Sequence, residues 1–156
     1  MAGRHLVGVL AAALGCTAGE ANAQSRGAEI VQSLGLIGTW AVDCSKPPAN
    51  QNPFQTYYIE GDGRPARRLW FEPREQPRVY EVSNPSVPSP GMFAYDSRER
   101  GAGTETHFKV VLEVKNGRMR SYSSVAADGR VLIREGKFTS DGKDTPTLEK
   151  CVRTQT

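Results

Sequence analysis

Histidine is nearly absent from this chain: among 156 residues only His5 and His107 are histidines. Cysteine is as scarce, with Cys16, Cys44 and Cys151 the full set. Too few ligands are left for a zinc site, so no metal centre is expected. The sequence also lacks a Gly-x-Ser-x-Gly nucleophile elbow, a His-Glu-x-x-His helix and a phosphate-cradling glycine loop before a helix. No cofactor and no catalytic residue is therefore assigned. Charge of one sign is missing too, since no block of five or more like charges occurs and the net charge is +3. That balance excludes the basic footprint of a nucleic-acid binder. The longest apolar run is too short and too interrupted by glycine to span a bilayer.

What is present begins with a leader. Arg4 and His5 form a basic start, Leu6 to Ala13 an apolar stretch, and Ala21-Asn22-Ala23 a small-x-small cleavage site before Gln24. Residues 1–23 are expected to be a signal peptide cut between Ala23 and Gln24, which places the protein in a periplasm or outside the cell. An alternative is a lipobox at Leu14-Gly15-Cys16 that makes Cys16 a lipid anchor, although Ala13 stands where leucine is usual. Loss of Arg4 and Glu20 with the leader leaves the net charge at +3.

Cys44 and Cys151 then form an even pair in an oxidising compartment, which reads as a disulfide. Closing a loop of just over a hundred residues removes unfolded-chain entropy worth about 4.7 kcal/mol at most. Residues 24–37 are expected to be a tail and short helix, and residues 38–156 a single β domain.

Ile30, Val31 and Leu34 recur at helical spacing and Gly35 follows as a stop. A first strand runs from about Gly38 to Cys44, with Trp40 and Val42 on one face, and Lys46-Pro47-Pro48 ends it. Asp62-Gly63, read as a two-residue turn, sets Tyr58 opposite Arg67, Thr56 opposite Leu69 and Phe54 opposite Phe71. Tyr57, Ile59 and Trp70 then share the other face, to be covered by a loop or left as an aromatic docking patch. After a short strand at Val79 to Ser83, a proline-rich stretch leads to Met92-Phe93-Ala94-Tyr95, expected to fold over a barrel mouth or add a short strand.

The last third is the most patterned. Asn116-Gly117 is a type I′ hairpin signal that sets Val114 opposite Met119, Leu112 opposite Ser121, Val110 opposite Ser123 and Phe108 opposite Val125. Asp128-Gly129 turns the chain again, placing Leu132 opposite Val125, Arg134 opposite Ser123, Gly136 opposite Ser121 and Phe138 opposite Met119. Both registers put the same face inside, as a meander requires. They also leave Arg134 amid an apolar wall, where it needs a partner.

Gly38-x-Trp40 on a first strand after a short helix resembles the opening of lipocalins and their calycin relatives. The resemblance implies that Trp40 packs across the barrel floor against a late cation, Arg134, with Arg153 as the alternate. Trp-x-x-Asp-Cys-Ser-Lys-Pro-Pro (40–48) with Gly-Lys-Asp-Thr-Pro-Thr-Leu-Glu-Lys-Cys (142–151) resembles a family of small exported bacterial proteins of unassigned function. That second resemblance supports the cysteine pair and carries no activity.

The expected fold is all-β: a small antiparallel lipocalin-like barrel of about seven or eight short strands with a short N-terminal helix, or alternatively a β-sandwich. His107 reads as a surface residue, and Asp62, Asp128 and Asp141 as turn residues beside glycine. Three function classes follow. One is a carrier of an apolar or amphipathic small molecule, its cavity lined by Phe108, Val110, Leu112, Ser121, Ser123 and Arg134, with Arg134 holding an anionic head. Another is a protein-binding module that resembles barrel-type protease inhibitors and uses Gln24 to Ala28 as a flexible tail. The third is a structural envelope protein. No enzyme activity, nucleic-acid partner or membrane span is expected.

Overall fold

The computed structural model describes residues 18–103 and 106–152, with side chains described from Arg26 onward. Arg4, His5, the apolar stretch, the Cys16 alternative and Arg153 lie outside the described residues. The single described helix, α1 (Ala18–Ser33), runs unbroken through Ala23 and Gln24, and it includes residues 24–28, the segment expected as a flexible tail. Its end is the one the sequence announces. Gly35 takes φ 65°, and the amides of Leu36 and Gly35 donate to the carbonyls of Val31 and Gln32 at 3.0 and 2.9 Å. That crossed pair satisfies carbonyls the helix leaves open, and only glycine enters the left-handed region without strain.

Among the described residues ten strands follow: β1 (Gly38–Ala41), β2 (Phe54–Ile59), β3 (Pro65–Trp70), β4 (Arg78–Ser86), β5 (Met92–Glu99), β6 (His107–Lys115), β7 (Arg118–Ala126), β8 (Val131–Arg134), β9 (Lys137–Phe138) and β10 (Leu148–Lys150). Each of β1 to β7 pairs antiparallel with its successor, and β10 bridges β1 and β7. Strands β1–β7 and β10 thus close an eight-stranded lipocalin-like barrel. The expected barrel is observed and the sandwich alternative is not. Closure removes both edges, which a short sheet would otherwise expose. Hairpin β8–β9 is an annex on the far half of β7.

The first and last strands are neighbours, as the cysteine pair requires. Trp40 lies opposite Lys150, and Cys44 is bonded to Cys151 with a Cα–Cα distance of 5.4 Å. Trp40 is buried, and its indole N–H donates to the Leu36 carbonyl at 2.8 Å. Val31 and Leu36 join Trp40, Tyr57 and Phe93 in one buried cluster, so α1 covers that end of the barrel.

Three expected registers are corrected. The β2–β3 loop has three residues, closed by hydrogen bonds between Glu60 and Arg64 and from Gly63 to Glu60, with Gly63 at φ 84°. Tyr57 therefore faces Arg67, and Phe54 faces Trp70. A one-residue slip exchanges the faces of a strand. Tyr57, Arg67 and Leu69 point inward, while Phe54, Tyr58 and Trp70 lie half-buried outside, Tyr58 under the Arg68 guanidinium at 4.5 Å.

In the β6–β7 hairpin Asn116-Gly117 forms the expected turn, with φ 53° and 70°, and Val114 and Leu112 pair as expected. A bulge then inserts Tyr122, so that Ser124, not Ser123, faces Val110, and Phe108 faces Ala126 rather than Val125. The stretch 131–138 is a hairpin rather than one strand: Glu135-Gly136 turns at φ 51° and 75°, pairing Arg134 with Lys137 and Ile133 with Phe138. Val131 takes the place opposite Val125 expected for Leu132, and Leu148 takes the place beside Met119 expected for Phe138. The turn carries Arg134 out to solvent, which relieves the cost of a cation inside an apolar wall.

The proline-rich stretch is shorter than the sequence implied. Strand β4 continues through Pro85 by a bulge with Asn84 at φ 50°, and β5 starts at Met92, with Phe93 and Tyr95 in the core.

Candidate functional site

The barrel interior is filled at one end and open at the other. Toward α1, the hydroxyls of Tyr57 and Tyr95 meet at 3.0 Å, their rings are edge to face, and Phe93 stacks on Tyr95 at 5.0 Å. Burial, then the neighbouring Tyr95, raises the Tyr57 phenol well above its ordinary pKa, so it stays a neutral donor and acceptor.

Beyond this aromatic plug lies a cavity of about 400 Å³. Its wall includes Leu69, Phe108, Val110, Leu112, Met119 and Leu148. At its rim stand Phe71, Leu132 and Phe138, and the last two are each 37% exposed. The strands place these side chains by alternation: Val110 and Leu112 on β6 sit two residues apart, opposite Ser124 and Ser121 on β7.

Two arginines reach this wall, and their surroundings differ. Arg120 is ion-paired with Glu113 through its Nε. Arg67 has no carboxylate partner among the described residues. It sits between Tyr57 on β2 and Tyr80 on β4, and its guanidinium lies 4.5 Å from the Tyr80 ring centroid. One Nη donates to Gln55 Oε1 at a long 3.4 Å, and Nε is buried with no hydrogen-bond partner. Glu99, the next residue across from Tyr80, accepts from the Tyr80 hydroxyl at 3.2 Å. Burial works against the charge on Arg67, but Tyr95, Tyr57 and Tyr80 around it outweigh that and hold its pKa above the usual value. It is a fixed cation at the inner end of an apolar chamber.

The sequence-derived lining set is divided by this arrangement. Phe108, Val110, Leu112 and Ser121 line the cavity together. Ser123 pairs with Val111 on the outer face, and Arg134 is exposed on β8. Nor does Arg134 meet Trp40: the cation over the indole is Lys150, 5.7 Å from the ring centroid. Sequence reasoning missed Arg67, Gln55 and Tyr80. The one available signal was Gly63, placed where a three-residue hairpin loop needs a left-handed residue.

A second hollow of about 670 Å³ lies against Glu81 on β4, Asp96 and Arg98 on β5 and His107 on β6. In its wall Arg98 is ion-paired with Glu81, and Asp96 accepts from Asn84. Among the described residues no group of three or more histidine, cysteine or acidic side chains is placed to hold a metal, and no helix is long and apolar enough to cross a membrane.

Comparison of the chain with protein-family models, with curated proteins and with solved structures finds no match.

Proposed function

We propose that this protein is an exported, non-enzymatic binding protein that holds one apolar or amphipathic small molecule inside its barrel. The observation that carries the reading is the chamber of about 400 Å³ left open above a packed floor. Its volume falls in the range of roughly 300–1,000 Å³ usual for small-molecule sites, and its mainly apolar wall with few polar groups has their composition. The leader and the Cys44–Cys151 bond favour a periplasmic setting.

The test is a fluorescence titration of the mature protein with the neutral apolar dye N-phenyl-1-naphthylamine. Saturable one-to-one binding is expected, and Leu112→Trp, which puts an indole into the chamber, should abolish it while the variant still melts cooperatively. Failure of the wild-type protein to bind the dye, together with native mass spectrometry of protein from its own cell envelope showing no retained small molecule, overturns the reading.

A further inference from the structure

We propose that Arg67 is the head-group anchor of the barrel, and that the molecule it takes is an amphiphile with a single carboxylate on an aliphatic chain. The inference rests on the binding reading above and narrows it to one ligand class.

A guanidinium offers five N–H donors in a planar fork, and its charge is costly to bury without an opposite charge. Here the described partners are one long bond to Gln55 and the face of Tyr80, neither of them a carboxylate. Arg120, by contrast, already has Glu113. Among the described residues Arg67 is thus the positive charge of the chamber wall without an anionic partner, and it stands at the inner end.

The geometry then selects the ligand. From the level of Arg67 the wall runs outward past Leu69 to Phe71, the residue just after β3, and the exposed Leu132 and Phe138 stand at the rim. A molecule with its polar end at Arg67 lays its chain along this apolar surface. A cation is repelled at that end. A doubly charged phosphate would leave one negative charge unmatched in an apolar chamber, since Arg120 is already engaged. One carboxylate matches one fork, in two parallel charge-assisted bonds.

The experiment displaces bound N-phenyl-1-naphthylamine from the mature protein with decanoate, decanol and decyltrimethylammonium at pH 8. These share a chain and differ in the head. On the wild-type protein decanoate should displace the dye about tenfold to a hundredfold more tightly than decanol, the range of one charge-assisted pair. Decyltrimethylammonium should be the weakest of the three. Arg67→Met should erase the preference for decanoate and leave decanol unchanged, Arg67→Lys should recover part of it, and the exterior Arg68→Gln should keep all of it. Should Arg67→Met fail to fold, the wild-type comparison of decanoate with decanol decides alone. Dye binding with equal displacement by decanoate and decanol overturns the anchor while leaving the cavity reading intact. No dye binding, with no small molecule retained in native mass spectrometry, removes both.

Discussion

Lys150 joins three parts of the molecule that the sequence keeps far apart. Its ammonium lies 5.7 Å from the Trp40 ring centroid and donates to the Gly35 carbonyl at 2.8 Å. The last strand is thereby tied to the first strand and to the end of α1. A cation beside a helix C-terminus also meets the negative end of its dipole.

Lys150→Met should therefore lower stability by about 1 kcal/mol, the combined scale of an exposed cation–π contact and a terminal carbonyl bond. Thermal melts should show a fall of roughly 3 °C for a chain of this length. Arg134→Met, at the residue the sequence nominates for this role, should leave the melt unchanged. The opposite ordering of the two variants would restore Arg134 as the partner of Trp40.

The Cys44–Cys151 bond spans 107 residues of sequence and fastens the closing strand pair. Cys44→Ser should lower stability by about 2–4 kcal/mol. Wild-type protein melted in reductant should shift down by a similar amount, and the variant should not respond to reductant. A wild-type melt indifferent to reductant would count against a contribution from the crosslink.

What the sequence made legible divides along turn chemistry. Gly35 as a helix stop, Asn116-Gly117 as a tight hairpin and the closure of first strand on last are each signalled by a residue type with one conformational use. Asp62-Gly63 and Asp128-Gly129 are not so restricted. Both close three-residue loops in which the aspartate side chain accepts from the amide two residues on, at 3.0 Å in each. A two-residue turn has the same letters, and the difference of one residue decides whether Tyr58 or Tyr57 faces inward. Arg67 and Leu69 share one face in both registers, so what the slip concealed is the neighbour of Arg67, Tyr57 in place of Tyr58. The bulge at Tyr122 left no mark in composition, so Ser123 and Ser124 could not be told apart.

Glu135 occupies a left-handed position, φ 51°, as the first residue of the β8–β9 turn with Gly136 after it. A side chain there costs an L residue roughly 1–2 kcal/mol, less for asparagine, which is favoured at this place before glycine. Glu135→Asn should raise the melting temperature by a few degrees. Asn116→Ala, at the corresponding place in the β6–β7 turn, should lower it. A melt unchanged in both variants would show that neither turn limits stability.

Asp43 gives the sign of one pH effect. Its carboxylate accepts from the Lys46 ammonium at 2.8 Å, and from the Ser45 hydroxyl and amide at 2.6 and 3.0 Å. The bond to Lys46, then those to Ser45, lower its pKa from the ordinary 3.8 to about 2. A carboxyl depressed on folding favours the native state above its unfolded pKa, and that contribution fades as pH falls through the folded value. The window here is from about 3.8 down to about 2. Because the group is exposed and screened, the clearest measurement is its own titration, followed by the side-chain carboxyl carbon in NMR. The midpoint should sit near 2 in the wild-type protein and move up in Lys46→Met, since the largest cause is then gone. Ser45→Ala, which removes the hydroxyl but keeps the amide, should move it less. A wild-type midpoint near the ordinary value would mean that Lys46 does not hold the carboxylate in solution.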